Sequence, residues 1–103
     1  MSDSVEDNLR IPLGGKILFP LGQQVATPTA LRQLSEDDVI GALTRHARGD
    51  WGDVDNHDRR ANDHALIEDS RLFSVYHSAR GVKFWIITES DRSVTTILLP
   101  EDY

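Results

Sequence analysis

Cysteine is absent from the 103 residues. Disulfides, zinc–thiolate sites and a cysteine nucleophile are therefore excluded. No apolar run approaches the roughly 20 residues that a membrane helix needs. The opening MSDSVEDNLR lacks the basic start and apolar stretch of a signal peptide, so a cytoplasmic protein with no membrane partner is expected. Several chemical signatures are also missing. There is no glycine-rich phosphate loop, no Ser–His–Asp pattern with a nucleophile elbow and no DNA-reading helix. Positive charge is scarce, with 11 Lys and Arg against 17 Asp and Glu, for a formal net charge of −6. That balance argues against a strongly basic nucleic-acid binder. Eight of the 11 basic residues nevertheless lie between Arg45 and Arg92. A local cationic surface is compatible with a negative total. The same acidity would suit a protein that competes with nucleic acid for a basic partner.

Hydrophobic residues make up 39% and charged residues 27%, ordinary values for a folded domain. The expected organisation is a disordered tail over residues 1–10 and one α+β domain over 11–103. KILFPLGQQV has a short strand-like core broken by Pro20 and Gly22, and reads as an edge strand or extended arm. Thr27 before Pro28 suits a helix cap followed by the first helical position. Ser35 and Asp38 bracket the start of a clearer helix, SEDDVIGALTRHA, in which Val39, Leu43 and His46 share a face. Asp55 is placed to cap a third helix with a narrow apolar stripe. From Arg71 the period changes to two, and strands are predicted near 71–77, 82–88 and 93–99. Helices followed by strands predict an N-terminal arm and two to three helices packed on a three-stranded antiparallel sheet.

RHARGDWGDVDNHDRR, residues 45–60, concentrates the chemistry. His46 carries the side chain best suited to proton transfer near neutrality, and Arg45 and Arg48 beside it could hold phosphate. The plain alternative is that all three complement a helix C-terminus. Trp51 could stack on a base or plug a helix–sheet junction. Asp53 begins a run that fails the calcium-loop pattern, because its sixth position is Asp58 rather than glycine. His57 and His64 are not at the spacing of a zinc helix. No metal and no cofactor is expected. Arg92, Thr95 and Thr96 could bind phosphate, or could be turn and strand residues. Lys83 and Trp85 alternate on one strand face, opposite Val82, Phe84 and Ile86. They could meet RNA or a protein, or lie beneath the N-terminal arm.

ATPTAL, RHARGDWGDVD, RLFSVY and WIITESDRSVTTILLPEDY together resemble a widespread family of small bacterial, plasmid and phage proteins. Most members carry no assigned activity, and some are labelled as a type I restriction–modification subunit M. This chain has no methyltransferase motif. A weaker resemblance is to the superfamily of barnase, EndoU, colicin-type and RelE nucleases, which place helices before an antiparallel sheet. That resemblance implies a metal-independent ribonuclease-like domain. His46 would supply acid–base chemistry, and Arg92, Thr95 and Thr96 would complete the catalytic set. Arg45, Arg48, Trp51 and Lys83 would contact RNA. The competing expectation is a non-catalytic module that binds a restriction or other defence complex through acidic helices or a Trp51 and Trp85 surface.

Overall fold

The helices begin where the sequence places capping side chains. Thr27 Oγ1 accepts the Ala30 amide at 3.1 Å and Pro28 opens helix α1, Pro28–Gln33. Helix α2, Glu36–Ala47, starts with a reciprocal pair. Ser35 Oγ accepts the Asp38 amide and the Asp38 carboxylate accepts the Ser35 amide, both at 3.1 Å. The second Asp38 oxygen accepts the Ala79 amide at 3.0 Å and so ties the helix to a distant turn. Asp55 caps helix α3, Asn56–Glu68, through the Asp58 amide at 2.8 Å. Each cap satisfies amides that the helix itself leaves open. The computed structural model describes residues 16–103, so the tail expected over residues 1–10 lies outside the described residues.

The three expected strands are present as β2, Leu72–His77, β3, Lys83–Thr88, and β4, Val94–Leu98. The sheet is not the expected three-stranded antiparallel one. A fourth strand, β1, Gln23–Ala26, pairs parallel to β4, and the order is β1-β4-β3-β2. Only the other two pairings are antiparallel. Four residues are too few for a periodic signal, so β1 is defined by its neighbour. Gln23 donates to the Ser93 carbonyl at 2.9 Å and Thr27 to the Ile97 carbonyl at 3.0 Å.

Helices α1 and α2 cover one face of the sheet. Ala30, Leu34 and Ala42 meet Tyr76, Phe84, Ile86, Ile97 and Leu99 there, with Val39, Leu43 and Val82 packed at the margin. Full burial of a side chain such as Phe84 or Ile86 contributes roughly 1.5–3 kcal/mol. Helix α3 lies along the outer edge of β2. Asn62 donates to the Phe73 carbonyl at 2.7 Å and accepts its amide at 3.0 Å, imitating a neighbouring strand. Beside it Phe19, Trp51, Val54, Ala65, Leu72 and Val75 form a second cluster. A 3-10 turn, Pro100–Asp102, closes the fold, because Asp102 accepts the Thr27 hydroxyl at 2.7 Å and the Leu99 amide at 3.0 Å. No helix among the described residues is long and apolar enough to cross a membrane.

Candidate functional site

His46 lies on the core side of α2 with no exposed surface. Two adjacent strands meet it with hydroxyls, and a third strand extends the row on the same sheet face. Nδ1 is 2.6 Å from Ser74 Oγ on β2, and Nε2 is 2.9 Å from Thr88 Oγ1 on β3. Thr88 is 2.7 Å from Thr95 on β4, its cross-strand partner. Thr95 donates to the Leu21 carbonyl at 2.7 Å.

The end of this row fixes its protons. Leu21 can only accept, so the Thr95 proton points to it. Thr88 must then donate to Thr95, and His46 Nε2–H must donate to Thr88. Nδ1 is left to accept from Ser74, and the neutral Nε2–H tautomer is the one that satisfies every member. The Phe19 ring meets the imidazole edge-on with centroids 5.2 Å apart, and Trp51 does so at 5.7 Å. Burial and the positive charge of Arg92 lower the His46 pKa from 6.5 to about 3. The imidazole is thus an uncharged joint between helix, sheet and arm. Its two nitrogens are committed and neither reaches solvent, so a direct role on an external ribose has no geometry to act through.

The other expected residues separate. Thr95 belongs to the buried row, whereas Thr96 faces the opposite side of the sheet. Lys83 is exposed on that opposite side, paired with His77 across β2 and β3. Arg92 sits in the turn before β4 with φ +62°. One of its nitrogens donates to the Ser70 carbonyl at 2.6 Å and another to Ala65 at 3.0 Å, at the end of α3. The first also reaches the Glu89 and Ser90 carbonyls at 3.2 and 3.3 Å. The guanidinium therefore serves as a clamp on main-chain carbonyls. Arg45 pairs with Asp50 at 2.8 Å and lies over the Tyr76 ring, and Arg48 is the C-cap of α2. Trp51 is 2% exposed, and its indole donates to Asp63 at 3.2 Å.

No family model matches the sequence, and neither a curated protein nor a solved structure does.

Two surface features lie outside the buried row. On the sheet face opposite α1 and α2, Phe73, Trp85, Ile87 and Tyr103 line an open cleft of about 350 Å³, with Asp58 and Arg71 at its rim. Trp85 meets Phe73 and Tyr103 edge-on, with centroids 5.1 and 5.7 Å apart. Tyr103, from the end of the sequence, covers Trp85 where the arm was a candidate. Arg71 donates to the Tyr103 hydroxyl at 3.0 Å. The Trp85 indole nitrogen is buried with no hydrogen-bond partner among the described residues. The second feature is His77, whose Nδ1 is 2.8 Å from the Asp53 carboxylate. This pair is exposed and Lys83 stands next to it. Asp55, His57 and Asp58 bring potential ligand atoms within 4.8 Å of one another, but Asp55 is engaged there as the cap of α3.

Sequence reasoning singled out His46 but missed Ser74 and Thr88. The signal was available. Both are polar residues at inward positions of otherwise apolar strands, aligned with Tyr76 and Ile86 by the two-residue period. The His77–Asp53 pair carried no such signal, because it depends on where the loop 49–55 lies against β2.

Proposed function

We propose that this chain is a non-catalytic protein-binding module that acts on a restriction or other host-defence complex. The observation that carries this reading is a contrast. The histidine best placed in the sequence for chemistry is consumed in the core, while an aromatic cleft stands open on the far face of the sheet. Aromatic residues and arginine are the side chains that dominate protein–protein contacts, and Phe73, Trp85, Tyr103 and Arg71 supply them. An unpaired buried N–H costs about 1–3 kcal/mol. The Trp85 nitrogen is enclosed, so a partner in the cleft would meet the half-buried ring rather than that N–H.

The test is capture of a partner by the tagged protein from cells that carry a restriction system. Tyr103→Ala and Arg71→Glu, both at exposed positions, should lose the captured protein while the fold is kept. Capture that is indifferent to both variants would remove the cleft from the reading.

A second reading rests on the His77–Asp53 pair. A carboxylate on Nδ1 holds an imidazole for proton transfer at Nε2, and Lys83 could neutralise a phosphate. In this reading the ribonuclease-like chemistry survives with a different histidine. RNA cleavage that persists in EDTA and is lost in His77→Ala would replace the binding module with this alternative.

A further inference from the structure

The two edges of the sheet are treated differently. At the β2 edge Asn62 occupies the Phe73 main chain, as described above. Val75 is closed as well, donating to the Trp51 carbonyl at 3.1 Å and accepting the Asp53 amide at 2.8 Å. Among the described residues the β1 edge has no such cover, since β1 is the terminal strand of the sheet. Gln23 and Thr27 turn their amides toward β4. Main-chain direction alternates along a strand, so the amides and carbonyls of Gln24 and Ala26 point outward. Natural edges are guarded by charge or proline. Gln23, Gln24, Val25 and Ala26 carry neither.

The surroundings of this edge complement themselves. Leu18 donates to the Ala47 carbonyl at 2.8 Å, so the arm enters β1 beside the C-terminal end of α2. Ala26, at the other end of β1, and Val39, in the first half of the helix, both pack on the core cluster of Ala30, Leu34 and Ile97. Strand and helix therefore run in opposite directions. Lys16 is two residues from Leu18 and Arg48 one residue from Ala47, so both flank the end of α2 where the arm enters, and the acidic first turn, Glu36 and Asp37, is at the opposite end of that helix. The arm before β1 and helix α2 bound an open apolar groove of about 420 Å³, lined by Ile17 and Ile40 and reached from β1 by Gln24. Ile17 and Ile40 are 59% and 56% exposed.

We propose that a second copy of this chain occupies the edge, with β1 pairing antiparallel to the partner's β1 about a two-fold axis at Val25. The outward amide and carbonyl of Gln24 would exchange hydrogen bonds with the partner's Ala26, and the reverse pair would form by symmetry. Val25 would face the partner's Val25. Antiparallel alignment brings Lys16 and Arg48 of each copy toward the acidic helix start of the other, so the charges match twice. A closed two-fold contact of this kind needs only one self-complementary patch. The two sheets would become one of eight strands. This inference does not depend on the aromatic cleft, which lies on the other face of the sheet.

Sedimentation velocity on the full chain, from micromolar to near-millimolar concentration, tests it. The expected result is a reversible monomer–dimer equilibrium that weakens with salt. Gln24→Pro removes an outward amide and leaves the amides that serve β4 in place. Val25→Lys sets two like charges across the axis. Each variant should weaken dimerisation by at least tenfold with an unchanged circular dichroism spectrum. If Gln24→Pro fails to fold, Val25→Lys decides alone. A wild-type chain that stays monomeric throughout overturns the proposal, as does a dimer that survives Val25→Lys. Occupation of the edge by an extended peptide, with the chain remaining monomeric, also overturns it.

Discussion

His46 and Thr95 act as parts of one buried row, and each can be tested by a near-isosteric or truncating change. Thr95→Val keeps the shape but removes the donor to Leu21 and the acceptor for Thr88. A buried group left without its partner costs about 1–3 kcal/mol, and urea unfolding should show a loss of that order. Thr96→Val is the matched control. Thr96 faces the other side of the sheet and is half-buried, so its replacement should change stability by less than about 0.5 kcal/mol. His46→Ala should be worse than either, because it leaves a cavity and strands two hydroxyls at once. A loss of about 3 kcal/mol or more is expected in the same measurement. A Thr95→Val chain as stable as wild type would mean that the row is not a stabilising unit.

At the scale of elements, the loop before α3 is held against β2 by a backbone approach that admits no side chain. Gly52 has φ +74°, and a Cβ there would collide with the Val75 carbonyl and the Tyr76 ring. Gly81, in the β2–β3 turn, has φ +86° but open space around the same position. Gly81→Ala therefore carries only the cost of its backbone conformation, about 1 kcal/mol. Gly52→Ala adds a steric clash and should lower stability by several kcal/mol in thermal unfolding, or prevent folding. Equal effects of the two changes would show that the loop is free to move off β2. The elements themselves were largely legible in the sequence. Capping residues at Thr27, Ser35 and Asp55 and the two-residue period after Arg71 located three helices and three strands within a residue or two. What was not legible was the partnership of distant segments. Nothing local in GQQVAT says that it pairs parallel to β4, or that Asn62 will stand in for a strand beside Phe73. Arg92 is the clearest case at the candidate site. Its residue type suggested phosphate, but its position beside the end of α3 offered main-chain carbonyls first.

The whole molecule should report the state of His46 through its stability as a function of pH. In the unfolded chain the imidazole titrates near 6.5, and in the fold burial and Arg92 hold it neutral down to about 3. Above pH 6.5 both states carry the neutral ring, and the group contributes no pH dependence. Below 6.5 the unfolded chain takes up a proton that the folded chain refuses. Stability therefore falls as pH drops from 6.5 toward 3, with a slope on the order of one kcal/mol per pH unit. The carboxylates act lower on the scale. Asp102 is held below its usual value by the Thr27 hydroxyl and the Leu99 amide, and Asp38 by the Ala79 and Ser35 amides. Each adds stability above the ordinary carboxylate range near 3.8 that is lost as pH falls through it. The His46 share of the slope between about pH 4.5 and 6.5 is the part that depends on its ring. Urea unfolding at closely spaced pH values in that interval should show the slope in the wild-type chain. His46→Gln removes the titrating ring and should flatten it, whatever it costs at neutral pH. A slope that is the same in wild type and His46→Gln would place a protonated imidazole inside the fold. That result would contradict the proton order drawn from Ser74 through to the Leu21 carbonyl and would reopen His46 as an acid.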